Sequence, residues 1–406
     1  MKLKPVVIFI AIFLSVGLVR PTLALECGDQ LPDSEAQLKT YIDNCQQKIS
    51  ELKGKQATLA AAIDYFTTQI NLTRAKINST QHQLDKLKLE IDDLSTKIDS
   101  LNFSLTDLSR LFAQRIRQAY IRLTTSPPLY YLFFSSDLKH FFSRYKYLEK
   151  IQRHDQQVLI NLEKSRLDFD HQKQLKEIKQ AQIQALQTKL NRQQQILAQQ
   201  KTAKNKLLQD TKNSEARYRQ LLSRAQSQLA AFSRYVSLQG GASLLTNQTK
   251  CDSWGCYYNQ RDSQWGQLAI GLSSSPMAKY GCLVTSMAMV ASYYGKQLTP
   301  KDIALSSNPF WANTAYMLQG SWTVNSITMS RTRVGYGLKA LDQELALGKP
   351  VIVGLYKGPD HFIVVKQKDG DNYLINDPFI KNGADIKLKS HYPLSAVNTV
   401  DRVRVN

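Results

Sequence analysis

Apolar residues spaced alternately three and four apart, from Leu38 to Leu108, constrain this chain more than any other feature. Leu38, Ile42, Cys45, Ile49 and Leu52 open the series, and Leu59, Ile63, Phe66 and Ile70 continue it. Ile77, Leu84, Leu87, Ile91, Leu94, Ile98, Leu101, Leu105 and Leu108 complete it in the same register. A repeat of about 3.5 residues keeps one stripe facing a partner helix, which is the signature of a coiled coil. Pro32, Asp33 and Ser34 read as the helix entrance. Gln56, Thr73 and Thr80 interrupt the stripe and are expected to loosen the seam there.

The register runs without a proline to Pro127-Pro128, a pair that cannot sit inside a straight helix. A second apolar series follows over 137–235, including Leu148, Ile151, Val158, Leu162, Phe169, Ile183, Leu186, Leu190, Leu197, Leu207 and Leu221. Two arms around one breaker predict a long antiparallel α-helical coiled-coil hairpin over 25–235, with its tip near 124–142. Each arm would be about 130–150 Å long at the α-helical rise, and residue 34 would return beside residue 235. The tip carries Tyr130, Leu132, Phe133 and Phe134. These either pack on themselves as a small cap or form a docking patch for a partner.

The ends of the chain differ in character. Lys2 and Lys4 precede the apolar run Val6–Val19, and Thr22-Leu23-Ala24 supplies small residues in cleavage-type positions. Residues 1–24 therefore read as an export signal, with an uncleaved anchor as the alternative. Gly240-Gly241-Ala242-Ser243 marks 236–250 as a flexible linker, and 251–406 turns richer in glycine, proline and β-branched runs. That last segment has the size of one domain.

Export permits disulfides, and five cysteines leave one over. Cys251 and Cys256 lie close enough for a local staple, and Cys27 and Cys45 flank the start of the helical region. Cys282 would then be free. The alternative is five reduced thiols, with Cys45 filling the helical seam. A net charge of +20 suits anionic wall polymers or lipid headgroups in an exported protein rather than nucleic acid, but a solvated coiled coil can carry the same excess for solubility. No pair of CxxC motifs offers a zinc site, and nothing in the sequence calls for a cofactor.

Tyr280-Gly281-Cys282 heads an apolar run ending at Gly295, a residue suited to a helix C-terminal cap. Cys282 thus falls at a helix start, where the positive end of the macrodipole favours the anionic nucleophile. A small buried core cysteine is the bland alternative. His361 opens the strand-like run His361-Phe362-Ile363-Val364-Val365, and Lys368-Asp369-Gly370-Asp371 is a hairpin turn signal. Folding there sets His361 opposite 376–378, with Asp377 within one residue of direct register. Either Asn376 or Asp377 would share the histidine's face and orient its ring. Asp377-Pro378 also reads simply as a strand-ending turn. Upstream, Gln260 offers an amide donor for a tetrahedral oxyanion, beside the backbone N–H at Cys282.

Two resemblances bear on these segments. Gln118-Ala119-Tyr120-Ile121-Arg122, Leu129-Tyr130-Tyr131-Leu132-Phe133-Phe134-Ser135-Ser136-Asp137-Leu138 and Phe142-Ser143-Arg144-Tyr145-Lys146-Tyr147-Leu148 resemble the coiled-coil hairpin of division-associated peptidoglycan hydrolases and hydrolase activators. That resemblance implies a membrane-complex partner of the FtsEX type at the tip around Tyr130, Leu132, Phe133 and Phe134. Tyr258-Asn259-Gln260-Arg261-Asp262-Ser263-Gln264-Trp265-Gly266, the Gly281-Cys282 helix, Gly348-Lys349-Pro350-Val351-Ile352-Val353, His361–Val365 and Ile375-Asn376-Asp377-Pro378 resemble bacteriocin-processing cysteine peptidases. This second resemblance implies an α+β papain-like cysteine peptidase domain over 251–406. In it Cys282 is the nucleophile, His361 the general base, Asp377 the orienting residue and Gln260 the oxyanion donor. The family's transporter-linked members cleave leader peptides and carry membrane and nucleotide-binding domains; this chain has neither, so the substrate does not carry over. The expected function is a secreted, cell-wall-associated hydrolase cutting amide bonds in peptidoglycan peptides, with the hairpin positioning or regulating it. The alternatives are a non-catalytic wall scaffold or hydrolase activator, a general secreted protease, and an acyl transferase.

Overall fold

The computed structural model describes residues 27–28, 30–125 and 137–406. The signal-like residues 1–24, Pro127-Pro128 and the tip aromatics Tyr130, Leu132, Phe133 and Phe134 lie outside them. Four helices come first: α1 (Glu35–Leu52), α2 (Leu59–Thr125), α3 (Leu138–Thr211) and α4 (Glu215–Leu238). Ser34 caps α1 by accepting a hydrogen bond from the Gln37 N–H, as the entrance signal implies. Among the described residues no helix is long and apolar enough to cross a membrane.

Neither arm is one helix. The first breaks at Gly54, whose φ of +86° glycine adopts without strain. The α1 helix then folds back along α2. Leu38, Tyr41 and Cys45 pack there against Ala75, and Cys27–Cys45 closes a disulfide. The second arm breaks at Lys212 and Asn213, both left-handed, and restarts at the Ser214 cap. The helices α2 and α3 hold 67 and 74 residues, so they span about 100 and 110 Å rather than the longer arms that periodicity suggested. The breaks also shift the base: Glu215 caps Leu59 N at 2.8 Å, and Tyr218 donates to the Gln56 carbonyl at 2.6 Å.

Contacts between α2 and α3 run Thr67 with Lys204, Thr73 with Gln200, Glu90 with Lys179 and Arg115 with Asp155. Thr73 does not loosen the seam as its polarity suggested. It is buried, and its hydroxyl donates across to Gln200 at 2.9 Å, so the polar pair satisfies itself and fixes register.

The C-terminal domain is β-rich. After the short hairpin β1 (Lys250–Asp252) and β2 (Gly255–Tyr257), closed by Cys251–Cys256, come α5 (Met277–Tyr280), α6 (Cys282–Tyr293) and α7 (Pro300–Leu305). Strands β3 (Gly320–Val324) and β4 (Ile327–Tyr336), helix α8 (Gly337–Leu345), and strands β5 (Val351–Leu355), β6 (His361–Asp369), β7 (Asn372–Asn376), β8 (Ile386–Lys387) and β9 (Val397–Val405) follow. The antiparallel sheet has order β3-β4-β9-β5-β6-β7-β8. One face packs on α6, whose residues 282–291 are all buried, and the other packs on α8 through Leu341. Alternation along β6 serves both faces, with Phe362 and Val364 in one core and Ile363 and Val365 in the other.

The helix α4 belongs to this domain as much as to the arms. Phe232 enters the α6-side core, and Tyr235 and Val236 enter the other. The segment expected to be a free linker also packs on the domain: Leu245 N donates to the Arg261 carbonyl and Gln248 N to the buried Asp262 carboxylate. A third cluster joins Phe66, Leu207, Tyr218 and Trp311, seating the long helices on the domain.

That seat sets an expectation for stability. Leu207→Ala removes a fully buried side chain and should cost about 2–5 kcal/mol in urea denaturation. Leu167→Ala, at an exposed position, should change stability by no more than about 0.5 kcal/mol.

Candidate active site

The free thiol sits where the sequence placed it. The helix α5 ends at Gly281, and α6 starts at once with Cys282. A side chain at 281 would not fit, since a Cβ there would stand 2.5 Å from the Met277 carbonyl oxygen. Glycine therefore permits the sharp joint that puts Cys282 at the first helical position, where N–H groups lack intrahelical partners. Gly295, at φ +73°, ends the helix as expected. Cys251–Cys256 and Cys27–Cys45 are bridged, leaving Cys282 free and buried.

His361 is the first residue of β6, and the nearby Cys282 side chain is among the groups that raise its pKa. Its Nε2 lies 2.9 Å from Asp377 Oδ1, leaving Nδ1 for the sulfur. Asp377, not Asn376, is therefore the histidine's partner. The strand register differs from the expected one, however. Asn372 faces Asp369 across the Gly370-Asp371 turn, a bulge between Val365 and Gln367 recovers one residue, and the last pair is Val364 with Asn376. His361 is thus not opposite 376–378. The chain leaves the sheet after Asn376, and the turn brings the carboxylate back. Asp377 Oδ1 accepts from Phe379 N at 2.8 Å and Ile380 N at 3.2 Å, while Asp377 N donates to the Gly383 carbonyl. The strand-ending turn and the histidine partner are one feature. The Asn376 side chain does turn work instead, accepting from Asp385 N.

Gln260 is buried and ties the two halves of the site together. Its backbone N–H donates to the Pro378 carbonyl at 2.7 Å, and its Nε2 donates to the Ala278 carbonyl at 2.8 Å. An amide nitrogen carries two N–H groups, and the Ala278 bond uses one of them. Oε1 has no hydrogen-bond partner among the described residues.

Three tyrosines complete the site without any sequence signal. Tyr392 donates to Asp377 Oδ2 at 2.6 Å, and its oxygen lies 2.6 Å from the Tyr235 hydroxyl. The Tyr392 proton is used on the carboxylate, so Tyr235 donates to Tyr392. The ring of Tyr235 stacks on the His361 imidazole, with centroids 4.3 Å apart and planes 5° from parallel. Tyr257 donates to the backbone carbonyls of Asp377 and Ile380. Tyr235 comes from α4, inside what reads as a uniform helical arm. His391, the other histidine of the domain, is exposed, with its ring tilted 49° to that of Tyr392 at a centroid distance of 6.4 Å.

Electrostatics follow from burial and pairing. Burial alone would push His361 down, but the Asp377 charge and hydrogen bond, with the Cys282 contact, outweigh it and hold the imidazole at about 9. Burial would raise Asp377; the imidazolium, Tyr392 and Phe379 N–H reverse that and hold it below the usual carboxylate range. At neutral pH the ring is an imidazolium, able to stabilise a thiolate and to donate a proton. Cys282 and His361 are 3% and 1% exposed, because α4 lies over them. Gln228 of α4 donates to the Gly358 and Pro359 carbonyls just before His361, Arg234 approaches Asp360 at 3.8 Å, and Phe232 meets the Phe362 ring edge-on.

His361 in the folded chain titrates above its ordinary 6.5. Its contribution to stability is therefore complete below that pH and is lost as pH rises through about 9. Thermal stability should decline between pH 7 and 10, with a matching shift of the His361 ring resonance. Asp377→Asn should move that resonance's midpoint down by at least about one pH unit and flatten the decline.

Residues 256–395 match the model of the Peptidase_C39 like family. No curated protein matches the chain, and no solved structure does. The family match, over the span that holds the sulfur, the imidazole and the carboxylate, supports a cysteine peptidase-type hydrolase for the C-terminal domain.

Proposed function

We propose that the chain is a secreted cysteine hydrolase that cleaves amide bonds in cell-wall peptidoglycan peptides. The observation that carries the hydrolytic part is the contact of one free sulfur with an imidazole whose far nitrogen lies 2.9 Å from a buried carboxylate. In this reading the Cys282 thiolate attacks the carbonyl carbon, and the oxyanion is met by the Cys282 backbone N–H and the second N–H of the Gln260 amide. The His361 imidazolium gives its proton to the departing amine, then takes one from water as that water releases the acyl group. Asp377 keeps the ring oriented and its charge matched throughout. Sulfur, imidazole and carboxylate suffice for these steps.

The helical region adds regulation. The four cross-helix contacts pair falling with rising residue numbers, which supports an antiparallel coiled-coil hairpin over α2 and α3. The helix α4 continues from α3 and covers the dyad. A partner of the FtsEX type pulling on the tip around Tyr130, Leu132, Phe133 and Phe134 would reach α4 through the α3 helix and its seat on Leu207 and Trp311. The export signal in residues 1–24 and the +20 charge fit a wall location. The second reading, a scaffold or activator that binds wall peptides without cutting them, draws on the burial of Cys282. A fully hydrogen-bonded acid–imidazole pair around a free sulfur favours catalysis, since a packed apolar core would need none of it.

Purified protein incubated with cell-wall sacculi should release soluble peptides, and Cys282→Ala should reduce release at least 10³-fold, roughly the scale of losing a covalent nucleophile. Equal release by that variant would refute the catalytic role. The cover makes a separate expectation. Gln228→Ala combined with Phe232→Ala removes α4 contacts without touching the imidazole. This variant should speed iodoacetamide labelling of Cys282 by about tenfold or more, as about 1.4 kcal/mol of closure is lost. Labelling as fast in the native chain as in the variant would remove the regulatory part.

A further inference from the structure

We infer that Arg331 and Arg333 form a carboxylate-binding subsite beside the dyad, so that the substrate carries an acidic group next to the scissile amide. This rests on the hydrolase reading above and names the chemistry that reading leaves open.

Both arginines project from β4 onto the α6 side of the sheet, at alternate positions. Arg331 is 4% exposed. Its Nη1 pairs with Asp401 Oδ2, and its Nη2 donates to the Met317 carbonyl at 2.9 Å. Its Nε–H is buried with no hydrogen-bond partner among the described residues. Arg333 pairs through Nε with the other oxygen of the same carboxylate. Two guanidinium groups thus share one fully buried Asp401, and the cluster keeps a net positive charge. A purely structural pair would need one arginine and would leave neither an excess charge nor an orphaned donor.

The two side chains line a small cavity of about 50 Å³. Its floor includes Leu283 and Val284, the two residues after Cys282, and Phe362, the residue after His361. The cavity lining thus includes the chain neighbours of both reacting groups. Gln228 and Phe232 of α4 also line it, so in the proposed reading the movement that exposes the dyad also opens this side of the cavity. A guanidinium fork matches the planar geometry of a carboxylate, and no acidic residue lines the cavity to satisfy the excess charge.

The test uses the full chain carrying Cys282→Ala, which cannot turn over. The probes are N-acetylated tetra-alanine amides with a single Glu, or in the matched peptide Gln, at each position in turn. Calorimetric titration should find one position where the Glu peptide binds at least tenfold tighter than its Gln twin. Each ratio compares two peptides on one chain, so the cost of lifting α4 cancels. Adding Arg333→Gln, at a partly exposed position, should bring the ratio to within twofold, and Arg333→Lys should restore part of it; unfolding curves check that both variants fold. No preference at any position, no binding of either twin, or a ratio that survives Arg333→Gln overturns the subsite. If the preference holds but the wild-type chain cleaves none of the peptides or sacculi, the hydrolase reading fails and the subsite stands.

Discussion

A carboxylate sealed from water must be paid back in hydrogen bonds, and the fold around Asp377 is organised to do that. The side chain accepts from His361, Tyr392, Phe379 N and Ile380 N. Those four donors come from three pieces of chain: the start of β6, a turn before β9, and the turn after β7, which supplies two. Removing one partner would leave a buried charge short of a bond, a larger loss than the bond's own net worth. The site is therefore rigid because the alternative is an unpaired anion, and the raised imidazole is the consequence. The charge on Asp377 keeps His361 protonated where burial alone would strip it.

The same logic explains why α4 is hard to classify as arm or domain. Tyr235 contributes its ring to the imidazole face and its hydroxyl to the Tyr392–Asp377 chain, while Phe232 fills the core on the other side of the sheet. A helix that stabilises the site by burying it also excludes substrate from it. Rather than being a separate inhibitor, the cover shares the core it would have to leave. Gln228, Arg234 and Phe232 hold the rim of this cover, and Tyr235, further along the helix, stacks on the imidazole itself.

What the sequence made legible was local. A glycine before a cysteine, an apolar run ending in glycine, and a two-residue Gly370-Asp371 turn each have short-range physics, and they located Cys282, β6 and β7. The odd cysteine count similarly pointed to Cys282 as the unpaired one. The misreadings came from single-residue events within regular patterns. The tight Gly370-Asp371 turn, which pairs Asp369 with Asn372, set a register that misses 376–378; the β6 bulge recovers one residue, and the Asp377-Pro378 turn brings the acid back. Gly54 and the Lys212-Asn213 pair broke helices whose apolar periodicity runs on across the breaks, because heptad spacing reports which residues want burial and not whether the backbone is continuous. Tyr235, Tyr392, Arg331 and Arg333 gave no signal, since their roles depend on which segments meet in space.

Where the breaks fall carries a mechanical meaning. The α3 helix ends at Thr211, just past Leu207 in the cluster with Phe66, Tyr218 and Trp311, and α4 begins at once under the Ser214 cap. The two left-handed residues between them form a joint seated directly on the C-terminal domain. A continuous helix from tip to dyad would transmit rotation and translation alike and would need to unseat its whole length to move. With a joint, the long helices and the helix that covers the dyad are separate rigid pieces that meet on this cluster. About three to four turns beyond Tyr218, Gln228 and Phe232 of α4 line the cavity, and nearly five turns beyond it Tyr235 stacks on the imidazole. The contacts that hold α4 over the site, those of Gln228, Phe232, Arg234 and Tyr235, are thus distinct from those of Tyr218 and Ala225, which belong to the seat of the long helices.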